Sequence, residues 1–161
     1  MKRTVNIHPK KLHSIERKHP WIFSGAITSK TDQFEDGDLV AVNDSKGNIL
    51  ARGHFQHATI AVRILNFGDA PIDHVFFKNR VVNAVQTRRN SDLFRDDNSI
   101  CRIIHGEGDG LPGLIIDFYN GTLVLQTHSV GMHLAKPFIT EALKEIYGQS
   151  LIAIYDKISE T

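Results

Sequence analysis

A break in the hydrophobic pattern at residues 66–73, NFGDAPID, most constrains the fold of this chain. Glycine, proline and two aspartates end the strand periodicity that precedes the break, and a helical pattern follows it. A chain of 161 residues is long enough to build two small hydrophobic cores. The sequence therefore predicts two domains of the α+β class, residues 1–68 and residues 73–161.

The first predicted domain is rich in strands. LVAVND (39–44), ILARGHF (49–55) and TIAVRIL (59–65) contain β-branched residues in partial alternation, and SKGN separates the first two as a turn. Upstream, Leu12 and Ile15 stand at helical spacing among charged residues. We expect a small antiparallel β-barrel or sheet with one short helix covering an end.

The second predicted domain mixes helices and strands. Asp73 is placed to cap a helix over residues 74–90, which a strand at 99–104 follows. Asn120-Gly121 joins the strands 113–119 and 122–128 into a hairpin with a type I′ turn. A second helix over 132–148 and a strand over 150–156 complete the pattern. Apolar residues are predicted on one face of each helix: Phe77, Val81, Ala84 and Val85 on the first, and Leu134, Phe138, Ala142 and Ile146 on the second, where Pro137 fits only the first turns.

Charge is concentrated at the front of the chain although the net charge is only +1. Residues 1–30 contain seven lysines or arginines and one carboxylate, Glu16. Such a cluster suits a nucleic acid or a plain solvated surface equally well. No apolar run reaches the about 18 residues that cross a bilayer, and neither a signal peptide nor a cysteine pair is present, so we expect a cytoplasmic protein with no membrane partner.

The segment HPWIFSGAI (19–27) follows this basic region and contains the only tryptophan. Trp21 and Phe23 have rings that stack on bases, and Ser24 and Gly25 leave room for a backbone to approach. The cations that precede them suit phosphates: Arg17, Lys18 and His19. Alternatively, Trp21 plugs the open end of the barrel. The residues alone favour Trp21 as an anchor of the fold, and the family resemblance given below implies that the flanking residues form the RNA-binding edge.

The glycine-rich segment IIHGEGDGLPG (103–113) superficially resembles a nucleotide-binding loop. Such loops lead into a helix, whereas this one leads into another strand, which favours a strand connection carrying Glu107 and Asp109 between Gly106 and Gly110.

Other candidate chemistry in the chain is incomplete. The two loop carboxylates lack a third ligand nearby, and His54 and His57 fall on opposite faces of a regular strand, so no metal site is predicted. Cys101 lies among apolar neighbours and is not expected to act as a nucleophile.

Several segments taken in order carry a family resemblance: HPWIFSGAI, GDLVAVNDSKGNILARGHF, IAVRIL and RIIHGEGDGLPGLIIDFYNGTLVLQ. They resemble the front part of bacterial class I S-adenosylmethionine (SAM)-dependent methyltransferases that make 5-methylcytidine in large-subunit (23S) ribosomal RNA. The resemblance implies a PUA-like RNA-binding domain at residues 1–68 and a central domain at 73–161. In that family a Rossmann-like domain with the cofactor loop and the catalytic cysteine follows.

By this resemblance, the chain is a fragment that positions ribosomal RNA for a catalytic domain it does not contain. It is then expected to be inactive alone and to bind no cofactor, SAM being bound by the intact parent enzyme. Its partners would be ribosomal RNA, the missing methyltransferase domain and a second copy in a homodimer. The loop Gly106–Gly113 would face that domain or the target pocket. The alternatives are a free-standing RNA-binding PUA-like protein and a protein-interaction module.

Overall fold

The computed structural model describes residues 3–91 and 100–157. Two compact units, Met1–Ile72 and Asp73–Thr161, divide the chain, and each is described by itself. The division falls inside the segment NFGDAPID.

The first unit is a five-stranded curled sheet with one short helix. Its strands are β1 (Thr4–Asn6), β2 (Trp21–Phe23), β3 (Leu39–Asn43), β4 (Ile49–Phe55) and β5 (Ile60–Phe67), and its helix is α1 (Leu12–Glu16). The strand order is β1-β3-β4-β5-β2, in which only β1 and β3 are parallel. The three predicted strands and the short helix are confirmed. The expectation of a purely antiparallel unit is wrong, because β1 joins the sheet alongside β3.

The core of the first unit draws on all five strands and on α1. Buried side chains from the three long strands form it together with Val5 from β1, Ile22 from β2, Ile15 from α1 and the loop residues Ile7 and Phe34. Strands β4 and β5 approach so closely that a Cβ at Gly53 would stand 2.2 Å from the carbonyl oxygen of Arg63. Only glycine fits at that crossing, where the register of the two strands also shifts.

The second unit packs two helices with a four-stranded sheet. Helices α2 (His74–Asn90) and α3 (Val130–Tyr147) accompany strands β6 (Ile100–His105), β7 (Leu114–Tyr119), β8 (Thr122–Thr127) and β9 (Ala153–Asp156). The strand order is β6-β7-β8-β9, with β8 and β9 parallel and the other pairs antiparallel. The α+β class is therefore observed in both units.

Three local predictions in the second unit are confirmed in detail. A carboxylate oxygen of Asp73 accepts a hydrogen bond from the backbone N–H of Phe76 at 2.9 Å, as an N-cap does. Asn120 and Gly121 both have positive φ, 43° and 88°, which a type I′ hairpin turn requires. The apolar face predicted for α2 is the buried one: Phe77, Val81, Ala84 and Val85.

The prediction for α3 is wrong in two respects. Ser129 caps the helix two residues earlier than expected, so Pro137 is in its third turn rather than near its start. The predicted face is also rotated, since Leu134 is 59% exposed and Phe138 is 43% exposed. Positions four apart drift by about 40° per step around a helix with 3.6 residues per turn. The buried face instead follows mixed spacings of three and four, at Met132, Ala135, Ile139, Ala142 and Leu143.

Among the described residues, none of the helices combines the length and hydrophobicity that a bilayer crossing needs.

Burial of His54 makes the first unit sensitive to acid. Its side chain lies in β4, 8% exposed, and its Nδ1 has no hydrogen-bond partner. Burial first, and the charge of Arg63 second, lower the pKa of His54 to about 4. Between pH 6.5 and pH 4, His54 is therefore protonated in the unfolded chain but neutral in the folded unit. The unfolding free energy falls as the pH falls through this range.

We predict that His54 removes about 3 kcal/mol from the unfolding free energy of the first unit between pH 7 and pH 4. Urea denaturation at several pH values, followed by the fluorescence of Trp21, measures this loss. The variant His54→Gln should show a flatter pH profile than the wild type, whereas the exposed-site control His13→Gln should not. Equal slopes for all three proteins would contradict the assignment.

Candidate nucleic-acid interface

Strand β2 presents two aromatic side chains on one face and one aliphatic side chain on the other. Side chains alternate along a strand, so Trp21 and Phe23 share a face opposite to Ile22. Ile22 is 4% exposed and belongs to the core, whereas Phe23 is 46% exposed and Trp21 is half-buried. The strand is at an edge of the sheet and pairs only with β5. Burial of Ile22 therefore directs both aromatic rings away from the core.

His19 joins these rings into a cluster, which we call the ring cluster (His19, Trp21 and Phe23). The His19 and Trp21 rings meet edge to face with centroids 5.8 Å apart, and the centroids of His19 and Phe23 are 6.4 Å apart. The backbone N–H of Trp21 lies 3.2 Å from Nδ1 of His19 and donates to it. This bond orients the imidazole over its two neighbours.

A concavity of about 350 Å³, here the β2 groove, lies between β2 and the segment that leads through α1. Its walls combine aromatic, cationic and polar groups with apolar ones. The lining residues are Ile7, Lys11, His13, Ser14, Ile15, Trp21, Ile22, Phe23, Gly25 and Ala26. A groove of this size, apolar with a few polar groups, is typical of a binding site.

The structure brings only part of the predicted RNA-binding set together. Trp21, Phe23 and Gly25 line the β2 groove, and the His19 ring contacts two of them. Ser24 lines a different concavity of about 300 Å³, and its N–H donates to the carbonyl oxygen of Thr59. A Cβ at Gly25 would meet nothing within 4 Å, so space at this position does not require glycine.

The predicted cations Arg17 and Lys18 are exposed at the end of α1 and do not line the groove. Lys18 has a positive φ of 58°, and its ammonium lies 4.8 Å from the centroid of the Phe67 ring. An ammonium over an aromatic face is held there by the ring's quadrupole.

The structure corrects one expectation about this segment and adds residues to the candidate site. The side chain that anchors β2 in the core is Ile22, whereas Trp21 is absent from the core cluster. The groove also contains Lys11, His13 and Ser14, which were not predicted as site residues. The excess of cations in residues 1–30 was the available signal for Lys11, but which of them face β2 depends on tertiary packing.

The glycine-rich loop of the second unit, Gly106–Gly113, connects the antiparallel strands β6 and β7. The Asp109 carboxylate accepts hydrogen bonds from both terminal nitrogens of Arg88 in α2. It also accepts one from the backbone N–H of His105, at 2.6 Å. Both side chains of this ion pair are nearly buried, at 13% and 9% exposure. Asp109 therefore fixes the loop to α2, and only Glu107 of the two loop carboxylates is exposed.

This loop does not fit a methyl-donor cofactor, because a single 3-10 turn over Gly106–Asp109 leads from β6 into β7 and no α-helix begins there. A Cβ at Gly110 would also meet the Arg80 guanidinium at 2.9 Å, so that side chain occupies the space beside the loop.

Cys101 does not fit an activated nucleophile either, since burial raises the pKa of its thiol. In the first unit, the Nε2 of His57 donates a hydrogen bond to the carbonyl oxygen of Phe34 at 2.9 Å, so this nitrogen is occupied by a backbone contact.

Comparison with known proteins places the first unit in a class. Residues 5–67 match the model of the PUA-like domain family, so this chain carries a PUA-like domain.

Over most of its length the chain is also homologous to ribosomal RNA large subunit methyltransferase I. It is 38% identical to that protein of Erwinia tasmaniensis over 89% of the chain and 36% of the relative. It is 36% identical to that of Pseudoalteromonas atlantica over 98% of the chain and 42% of the relative. The chain thus spans about two fifths of the curated relatives it matches.

Two solved structures share the fold. One, described as a SAM-dependent methyltransferase from Streptococcus mutans, covers 97% of this chain with a TM-score of 0.82 at 14% identity, and this chain covers 40% of it. The other, described as a methyltransferase complexed with SAH, gives a TM-score of 0.78 at 14% identity, over 99% of this chain and 44% of that structure.

We predict that alanine substitutions at two neighbouring residues of β2 lower the stability of the first unit by very different amounts. Ile22→Ala leaves a cavity in the core and should cost about 2–5 kcal/mol of unfolding free energy. Phe23→Ala removes an exposed ring and should cost less than about 1 kcal/mol. Urea denaturation followed by far-UV circular dichroism measures both. An equal loss in the two variants would show that Phe23 is a core residue and would contradict its assignment to the groove.

Proposed function

We propose that this chain captures ribosomal RNA through the β2 groove of its PUA-like unit and positions it for SAM-dependent methylation at C5 of a cytosine. The observation that carries the proposal is the ring cluster: aromatic side chains are exposed beside cations within the domain that matches the PUA-like family. The names of the homologous relatives supply the RNA class and the methyl transfer. The target atom rests on the sequence resemblance alone.

The groove residues suit single-stranded RNA. Unpaired bases stack on aromatic side chains, each stack contributing about 1–3 kcal/mol, and Phe23 offers an accessible ring face. Lys11 on the groove wall and the exposed Arg17 beyond it would contact phosphates, which hold the strand without reading its sequence. His13 and Ser14 add hydrogen-bonding groups on the side of α1.

The second unit has a supporting role in this proposal. Its loop Gly106–Gly113 is tied to α2 by the Arg88–Asp109 ion pair, and the loop would face a methyltransferase domain or the target pocket. SAM would belong to the parent enzyme and would supply the methyl group there. Neither the loop nor Cys101 fits that chemistry, and in this proposal the described residues would serve recognition.

We predict that a labelled single-stranded RNA oligonucleotide of mixed sequence binds this chain with an affinity that falls about tenfold or more between 50 and 200 mM salt. Phe23→Ala should weaken binding by about fivefold to a hundredfold, the loss of one base stack. Fluorescence anisotropy measures both effects.

Charge controls make this experiment specific to the groove. Lys11→Glu should weaken binding more than Lys46→Glu, which makes the same charge change in the exposed turn between β3 and β4. Equal losses would indicate nonspecific attraction and contradict the groove assignment. Absence of RNA binding at low salt with an intact fold would overturn the proposal and favour a protein-interaction module. The full-length coding sequence distinguishes a methyltransferase parent from a free-standing RNA-binding protein.

A further inference from the structure

Three metal-ligating side chains from two helices meet in the second unit. His74 is the first residue of α2, and Glu141 and Glu145 stand one turn apart on α3. One ligand atom of each lies within 4.8 Å of the others. Residues four apart share a helix face, so both carboxylates point toward the start of α2. We call these three residues the His-Glu-Glu cluster.

The spacing of its ligand atoms suits a small divalent cation. Nε2 of His74 lies 3.3 Å from Oε2 of Glu141. Two ligands of a tetrahedral zinc ion with bonds of about 2.0–2.1 Å are also about 3.3 Å apart. Imidazole and carboxylate together favour zinc and its transition-metal neighbours over magnesium, which prefers oxygen ligands alone.

The histidine nitrogen that faces the carboxylates makes no hydrogen bond, and its nearest charged neighbour is Glu141. Nε2 of His74 is shielded from solvent and makes no hydrogen bond, since its approach to Glu141 does not have hydrogen-bond geometry. The imidazole is nevertheless held in place: its ring meets Phe138 edge to face at 6.2 Å, and Phe138 stacks on Phe77 at 5.9 Å. The His74 side chain is 34% exposed and that of Glu141 is 61% exposed, so a cation between this nitrogen and the two carboxylates would be reached from solvent.

We propose that the His-Glu-Glu cluster binds one zinc-class divalent cation and that this ion joins α2 to α3. His74 and the two glutamates supply three ligands, and water completes the tetrahedron. Lys78, one turn further along α2, forms an ion pair with Glu145 and therefore competes with the metal for that carboxylate. The alternative is that the ion pairs seen in the structure, His74–Glu141 and Lys78–Glu145, join the two helices without any metal.

Zinc binding to the tag-free chain, stripped with chelator, tests this directly. Competition against a chromophoric chelator should show one Zn²⁺ per chain with high affinity, and no comparable binding of Mg²⁺. His74→Gln and Glu141→Gln should each weaken that site by about tenfold or more. The control His133→Gln removes an exposed imidazole from the same helix α3 and should leave the site unchanged. Zinc affinity that survives both ligand substitutions, or absence of tight binding in the wild type, would overturn the proposal.

The competing lysine provides a gain-of-affinity test that does not depend on removing a ligand. Lys78→Met frees Glu145 and should tighten zinc binding by about two- to fivefold, the equivalent of an exposed ion pair. Zinc should also raise the melting temperature of the wild type and of Lys78→Met but not of His74→Gln, because a ligand stabilises only the state that binds it. Unchanged or weaker binding by a folded Lys78→Met variant would contradict the assigned ligand set.

Discussion

Burial of Ile22 is the constraint on which the candidate site depends. Side chains alternate along the three-residue strand β2, and the middle residue, Ile22, takes the core-facing position at 4% exposure. Trp21 and Phe23 must then project from the other face, where the His19 ring meets both. The core that Ile22 joins is fixed in turn by the close crossing of β4 and β5 at Gly53. The exposure of the aromatic rings of β2 is therefore a consequence of the packing of Ile22 in the core.

The sequence predicted those parts of the fold that are determined locally. The cap at Asp73, the buried stripe of α2 and the Asn120-Gly121 turn all follow from neighbouring residues, and each is observed. Strand β1 escaped prediction because three residues are too few to show an alternation. The face of α3 was misassigned because which apolar residues are buried depends on the sheet and on α2, and not on the helix alone.

The candidate sites show the same division between local and tertiary information. Trp21, Phe23 and the basic region were identifiable from residue type, but the wall formed by His13 and Ser14 depends on how α1 packs against β2. Asp109 and Arg88 lie 21 positions apart, so nothing local indicated that this carboxylate is committed to an ion pair. His74 and Glu141 are still further apart in sequence, and only the packing of α2 on α3 brings them together.

Ultraviolet crosslinking of the chain to 23S ribosomal RNA, followed by mass spectrometry of the crosslinked peptides, tests the central claim most directly. Aromatic side chains stacked on bases are well placed to form such crosslinks. The account predicts crosslinked nucleotides on the segment 11–25, at Trp21 or Phe23, and their loss at high salt. Crosslinks confined to the second unit, with none on this segment, would contradict RNA capture by the β2 groove.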